Sequence, residues 1–244
     1  MLTIALVSAW PLPLLAAPTT LGQKVEADTY VSSGEPTVNF GSKGAMMIAV
    51  STTSQPRTEE SLIRFDTLLL KTSFDADYGV GNWVVNSVTL ALFSNYSTAG
   101  QQPGNSSFNQ IAAGEFELDW LSNDSWSETS ITWNTLSTVL PGTGDNASAS
   151  LGSFLWLADG SSSQTWTLDL APELVDDIAS GDKVTIFGQP TVDSTVGYLF
   201  NTLNNNPAYL YVTVDVVPEP SVPALTALGV AALVLLRRKM GRWA

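Results

Sequence analysis

Carboxylates are the main residues with which this 244-residue chain could do chemistry, because it contains no histidine and no cysteine. Histidine is the commonest general base and metal ligand, and cysteine supplies thiolate nucleophiles and ligands. Ser-His-Asp and Cys-His triads therefore cannot be built, and thiolate metal sites and disulfides are excluded. Hydrolysis by paired carboxylates does not require histidine, so the acidic side chains and their spacing are considered first.

Three acids, Glu115, Glu117 and Asp119, alternate with apolar residues along residues 115–120. Alternate side chains of a strand share one face, and two carboxylates on a face satisfy the spacing used in glycoside cleavage. Any strand with acids at alternate positions meets that spacing, so the pattern does not discriminate. We interpret it as a half-buried strand with a solvated acidic face. A polysaccharide-degrading enzyme, either hydrolase or lyase, stays as the alternative to a non-catalytic protein.

Two tryptophans, Trp126 and Trp133, are the candidates for carbohydrate contact. They flank a turn rich in Ser and Thr, in which Asp124 and Glu128 are placed to accept hydrogen bonds from backbone amides. An aromatic ring can stack on a sugar or fill a protein core, and core filling is the more frequent role in a sandwich. Both interpretations remain open for this pair. Three other tryptophans are assigned to the core: Trp83, Trp156 and Trp166.

The sequence offers no assembled metal motif. Asp75 and Asp77 have the spacing that begins an EF-hand loop, but Gly79, Val80 and Asn86 stand where that loop needs other residues. We therefore predict no catalytic metal and no cofactor. A structural calcium ion on strand-end carboxylates is left open, with three candidate ligands: Asp28, Asp75 and Asp215.

The distribution of charge excludes nucleic acid as a partner. The formal net charge is −13, and the chain up to residue 217 holds 22 acids against six bases. Nucleic-acid binding needs clustered Lys and Arg to neutralise phosphates, and this acidic body would repel them. The other four bases lie within the last eight residues.

The N-terminal end predicts export. Residues 2–17 form an apolar stretch with the length of a secretory signal and too short for a spanning helix. We predict a signal peptide over residues 1–27, cleaved between Ala17 and Ala27 after passage through the Sec translocon. A buried N-terminal segment is the alternative.

The C-terminal end, residues 217–244, predicts a short membrane anchor. Pro218-Glu219-Pro220 precedes an apolar run over residues 222–236, and Arg237-Arg238-Lys239 follows it. Fifteen helical residues reach about 22 Å, against about 30 Å for the hydrocarbon core. The basic cluster should remain cytoplasmic and hold the body outside. We therefore predict transient membrane insertion.

This order of Pro-Glu-Pro, hydrophobic helix and basic end resembles the PEP-CTERM sorting signal. The resemblance implies processing by an exosortase, a membrane-embedded cysteine protease of Gram-negative bacteria that make exopolysaccharide. It implies localisation at the cell surface or in the extracellular matrix, in a biofilm-associated role. A plain C-terminal anchor is the alternative.

Between the two ends, residues 28–216 predict one all-β domain. About ten β-prone segments are separated by turns every 8–15 residues, which favours a single antiparallel β-sandwich of jelly-roll type. One short helix is predicted from Pro172, which suits a first helical turn, to Gly181, which suits a left-handed stop. Asp176 and Asp177 are expected on its solvent side.

The body resembles the DNRLRE-type domain and carbohydrate-binding modules of family 96. Five stretches carry the resemblance in the expected order: residues 27–31 with 39–41, 60–66, 85–92, 124–134 and 207–213. The resemblance implies a β-sandwich that is structural, adhesive or carbohydrate-binding, with exopolysaccharide as a partner. Phe200-Asn201-Thr202 departs from the family pattern, which often has a Ser-Arg-Glu-like sequence there.

Overall fold

The computed structural model describes residues 17–51, 56–94, 112–158, 163–204 and 206–217. Two predicted segments lie outside these ranges: the apolar stretch up to residue 16, and residues 218–244 of the predicted sorting signal, which include Pro218, Glu219, Pro220 and Arg237-Arg238-Lys239. No helix among the described residues is long and apolar enough to cross a lipid bilayer.

Strands dominate the described part of the chain. They are β1 (Thr19–Ser32), β2 (Ala45–Ser51), β3 (Arg57–Asp66), β4 (Trp83–Phe93), β5 (Gly114–Leu121), β6 (Ser148–Trp156), β7 (Ser163–Leu168), β8 (Lys183–Pro190), β9 (Gly197–Asn201) and β10 (Tyr209–Val216). The helices are α1 (Leu68–Tyr78), α2 (Trp133–Leu136) and α3 (Pro172–Ser180). The all-β prediction is therefore confirmed.

All strand pairs are antiparallel, and β1 belongs to two sheets. Its first half, Thr19–Lys24, pairs with β10. The strand order continues from β10 to β4 and then to β7, and we call these four strands sheet 1. After an irregularity between Val25 and Ala27, the second half pairs with β3. The strand order continues from β3 to β8, β5 and β6. The first residues of β3 pair with β2, and β2 pairs with β9. We call this second set of strands sheet 2. The strand β1 thus begins nine residues before the predicted domain boundary at Asp28.

The main core lies between the two sheets. Val88 and Leu210 of sheet 1 belong to the same buried cluster as Ile63, Phe116 and Ile186 of sheet 2. Burying large aliphatic and aromatic side chains contributes about 1.5–3 kcal/mol each. The tryptophans assigned to the core are there: Trp83 and Trp156 are buried in this cluster, and Trp166 packs against it half-buried.

A second core covers the other face of sheet 2. Ile63 and Ile186 face the main core, whereas the adjacent Leu62 and Phe187 point to the opposite side of the sheet. There they belong to a cluster with Trp126, Ile131 and other residues of the segment 122–147. We call residues 122–147 the cap segment. Sheet 2 is consequently buried on both faces where the cap segment lies, and consecutive residues are buried there: residues 61–63 of β3 and residues 184–188 of β8.

Helix α3 has the predicted limits, with proline in its first turn and Gly181 in a left-handed conformation after its last residue. Leu174 and Ile178 are buried on one face. Asp176 is exposed, as predicted, whereas Asp177 is only partly exposed, and its carboxylate accepts a hydrogen bond from Trp120 Nε1 at 2.7 Å. Burial raises the pKa of Asp177 to about 6.

Helices α1 and α2 were not predicted. Helix α1 follows β3 directly and buries only Leu70 and Phe74, one turn apart. Its amphipathic pattern is weak because Leu68 and Leu69 are exposed on the opposite side. Helix α2 is a single turn that begins after Thr132, whose side chain forms a reciprocal capping arrangement with Thr135.

The alternation along residues 115–120 is confirmed. Phe116, Leu118 and Trp120 are buried, whereas Glu115 is exposed. Asp119 accepts a hydrogen bond from Gln189 of β8 at 3.2 Å. The strand is explained by packing on one side and solvation on the other, as the sequence indicated.

Candidate functional site

Trp126 attaches the cap segment to sheet 2. Its indole is 5% exposed, and its Nε1 donates a hydrogen bond of 3.0 Å to Thr185 Oγ1 on β8. The Thr185 hydroxyl in turn donates to Asp124 Oδ1 at 2.6 Å. A buried indole N–H normally needs such a partner, and here it finds one on the sheet beneath.

Arg64 of β3 holds the same part of the cap segment from the side. Its Nη1 donates to the backbone carbonyls of Asp124 and Trp126, both at 2.7 Å. Its guanidinium carbon lies 4.8 Å from the centre of the Trp126 ring, within the range of a cation–π contact. The Glu26 carboxylate accepts from Arg64 Nε at 3.0 Å, which fixes the guanidinium plane.

Glu128 forms a second attachment point. Its backbone carbonyl accepts a hydrogen bond of 2.7 Å from Asn39 Nδ2, which also donates to the carbonyl of Ile131 at 2.7 Å. Its carboxylate accepts from the backbone N–H of Asp28 at 3.3 Å. Three of the five stretches that carried the family resemblance therefore meet in one contact network that positions the cap segment: residues 27–31 with 39–41, 60–66 and 124–134.

Asp28 lies inside this network. It is 2% exposed, and its carboxylate accepts a hydrogen bond of 2.6 Å from the backbone N–H of Leu203. Burial raises the pKa of Asp28 to about 7, and the nearby Glu128 carboxylate adds to the rise, while the Leu203 hydrogen bond and Lys24 oppose it.

The three candidate calcium ligands are not brought together. The Asp28 carboxylate accepts a hydrogen bond from the backbone of Leu203. Asp75 forms an ion pair with Lys71 of α1 and accepts a hydrogen bond from Trp83 of β4. Asp215 accepts a hydrogen bond of 2.7 Å from Asn86. Across the described ranges, no group of three acidic side chains is arranged to hold a metal ion.

A groove opens on the outer surface of the cap segment. Its cavity of about 460 Å³ lies between the loop after β5 and helix α2. Hydroxyl- and amide-bearing residues form most of its lining: Asn123, Ser125, Ser127, Ser130, Thr135 and Thr138. Apolar residues complete it: Trp126, Ile131 and Val139.

The groove continues into a shallower depression of about 690 Å³ that shares Asn123 and Ser125 with it. Charged and polar residues line this second part: Ser122, Asp124, Asp145, Asn146 and Lys183. Together the two parts form a surface channel with an uncharged end and a charged end. We call this channel the cap groove.

Asn123 stands where the two parts meet. Its Oδ1 accepts hydrogen bonds from the N–H and hydroxyl of Ser125 at 3.0 and 2.6 Å, and its Nδ2 donates to Asn146 Oδ1 at 3.1 Å. The same Nδ2 donates to the backbone carbonyl of Thr138 at 3.3 Å. Both amide N–H groups are therefore used within the protein, and the Asn123 side chain holds the two sides of the groove together. The hydroxyl groups that surround it are the groups of this groove that suit a sugar.

The two predicted contact residues occupy different positions. Trp126 reaches the groove, but nearly all of its ring is enclosed by the second core. Trp133, the first residue of α2, is half-buried against that core and is not among the groove residues. The polar residues around Asn123 were missed, although the run Ser122-Asn123-Asp124-Ser125 is a recognisable turn sequence.

A two-sheet antiparallel sandwich with a hydroxyl-lined groove on a rigidly attached loop is an architecture compatible with a β-sandwich carbohydrate-binding module. The model of carbohydrate-binding module family 96 matches residues 19–153, more than half of the chain, and the chain belongs to this family. The matched range contains most of the cap groove. Modules of this kind are typically non-catalytic. No curated protein matches the chain.

Proposed function

We propose that the protein is an exported, non-catalytic carbohydrate-binding protein of the bacterial surface or extracellular matrix, and that it binds a section of polysaccharide in the cap groove. The observation that carries the proposal is the lining of this groove, together with membership of the family. The Ser and Thr hydroxyls that line the groove can exchange hydrogen bonds with the hydroxyl groups of a sugar, above a floor to which the buried side chains of Ile131 and Val139 contribute.

Asn123→Ala should weaken glycan binding about ten-fold, because it removes the side chain that holds the loop after β5 against Thr138 and Asn146 and so shapes the cap groove. The exported protein would first be applied to a glycan array, and the dissociation constant of the best ligand measured by calorimetry. Asn204→Ala, an exposed amide in the turn before β10, is the matched control and should bind as the wild type does. Equal glycan affinity of the two variants would contradict the proposal that the glycan binds in the cap groove. Release of reducing ends in proportion to added protein would contradict the non-catalytic assignment.

Export and sorting form the second part of the proposal. The strand β1 begins at Thr19 and pairs with β10 from its first residue, with Thr19 opposite Val214. Cleavage near Ala17 would keep this pairing, whereas cleavage after Ala27 would remove the whole of it. The pairing therefore supports signal-peptide removal near Ala17. At the other end, exosortase cleavage near Pro218-Glu219-Pro220 would leave the last described strand, β10, intact.

The mass of the exported protein tests the sorting proposal. We expect the extracellular form to begin near Pro18 and to lack the residues beyond about 217, which gives a chain of roughly 200 residues by intact mass spectrometry. Deletion of the exosortase gene should cause accumulation of the membrane-bound precursor. A secreted chain that retains Arg237-Arg238-Lys239 would contradict exosortase processing and leave the carbohydrate-binding proposal unaffected.

A further inference from the structure

The outward face of sheet 1 differs from the rest of the molecule. The cap segment covers the outer face of sheet 2 over β3 and β8, whereas the outward side chains of β1, β10, β4 and β7 in sheet 1 are intermediate or exposed apart from Ala91. Most of them carry hydroxyl groups: Thr20, Thr213, Ser87, Thr89, Thr165 and Thr167. In register they form rows across the sheet, with Thr89 between Tyr211 and Thr167.

Two tyrosines stand in the middle of this face. Tyr209 and Tyr211 are two residues apart on β10, so they share its outward side while Leu210 and Val212 fill the core. Their ring centres are 5.9 Å apart and their planes differ by 19°. Phe93 of β4 contacts Tyr209 edge-on, with 6.4 Å between the ring centres. We call Tyr209, Tyr211 and Phe93 the aromatic strip.

Gly22 of β1 shapes the strip. It lies opposite Tyr211 in the sheet, and a Cβ atom placed on it would come within 2.7 Å of the Tyr211 ring. The ring therefore leans over the backbone of β1 in the space that a side chain would occupy. Even so, Tyr211 remains 37% exposed, so part of the ring is open to solvent.

Charge also distinguishes this face. Acids outnumber bases by 23 to 10 in the whole chain, yet the residues that directly neighbour the two tyrosines across the sheet include no Asp or Glu. The charged residue among these neighbours is Lys24, opposite Tyr209. An outward carboxylate of this face, Asp215, lies near the end of β10, where it accepts a hydrogen bond from Asn86. The aromatic rings and hydroxyl rows present the groups that contact sugars, and the positions beside the rings lack the carboxylates that dominate the chain.

We propose that the aromatic strip is a second carbohydrate-contact surface, on which a polysaccharide chain lies with its pyranose rings against Tyr209 and Tyr211. This inference rests on the proposed function. The strip lies on the outer side of sheet 1, and the cap groove lies beyond the far side of sheet 2, so the two surfaces face in opposite directions. One molecule can therefore join two polysaccharide chains.

Affinity electrophoresis and turbidity test the proposal, with hydroxyethylcellulose as the neutral probe and alginate as the acidic one. The exported wild-type protein should be retarded by a polymer and should make its solution turbid by cross-linking. The double variant Tyr209→Ala/Tyr211→Ala should bind about ten-fold more weakly, equivalent to about 1.4 kcal/mol, and should no longer cross-link. The double variant Tyr209→Phe/Tyr211→Phe keeps the rings and should behave like the wild type.

The groove variant separates this inference from the proposed function. Asn123→Ala should still bind polymer through the strip but should lose cross-linking. Full binding and cross-linking by the folded Tyr209→Ala/Tyr211→Ala variant would overturn the strip alone, and full activity of Asn123→Ala would overturn the groove alone. No retardation of the wild type by either polymer would overturn both. A wild-type dimer that the tyrosine-to-alanine changes convert to monomer, seen by sedimentation without polymer, would identify the strip as a self-association surface and overturn the proposal.

Discussion

Gly41→Ala should destabilise the body by about 3 kcal/mol or more, which lowers the melting temperature of a domain of this size by roughly 10 °C. A Cβ atom on Gly41 would stand 1.9 Å from the backbone oxygen of Glu128 and 2.6 Å from its carbonyl carbon. Both are backbone atoms, so no side-chain rotation relieves the overlap. Moving Glu128 away would also stretch the two hydrogen bonds that Asn39 donates to the cap segment.

Gly44→Ala is the matched control, since Gly44 lies three residues further along the same loop and an added Cβ meets nothing within 4 Å. We expect its melting temperature to stay within about 2 °C of the wild type, as for most exposed substitutions. Differential scanning calorimetry of the three proteins provides the comparison. Equal melting temperatures for both variants would mean that the cap segment moves away from Gly41 at no cost and is not rigidly attached.

Trp126→Ala should cost about 3–5 kcal/mol of unfolding free energy, the range for removing a buried tryptophan. It deletes the largest side chain of the second core, leaves the Thr185 hydroxyl without the indole N–H, and removes the ring beneath the Arg64 guanidinium. The loss would be measured by urea denaturation of the wild type and the variant.

Trp133→Ala is the control for this prediction, because Trp133 belongs to the same segment but is only half-buried. It should cost clearly less, and the cap segment should stay resistant to protease. In Trp126→Ala we expect proteolytic nicking within residues 122–147 and loss of glycan binding in the cap groove. A similar free-energy loss for both variants would show that Trp126 has no special anchoring role.

Much of the sandwich could be predicted because its strands are marked locally. Alternation around Phe116 and the turn residues between segments are properties of neighbouring residues, and Pro172 and Gly181 mark helix α3 in the same way. Helix α1 lacks such marks, since Thr67 makes no side-chain cap and only Leu70 and Phe74 are buried. Its helical state depends on packing against residues that are distant in sequence.

The site was harder to predict because it depends on contacts over long sequence distances. The sequence identified the stretch around Trp126 but left open whether the ring was in the core, and this was decided by Thr185, 59 residues away. In the sequence, Asn123 and Ser125 indicate only a turn. They line a groove in the folded protein because α2 and the loop before β6 pack around them. Tyr209 and Tyr211 were assigned to a closing strand, and their exposure depends on which sheet face stays uncovered.

The double membership of β1 has a consequence for biogenesis. Its first half can pair only once β10, the last of the described strands in chain order, has been synthesised, and β10 also completes the hydrogen bonding of β4. Until then, two long strand edges remain open to pairing with other nascent chains. If the protein follows the proposed sorting route, a membrane tether directly behind β10 would hold each polypeptide apart during this interval, and proteolytic release would follow completion of the sandwich.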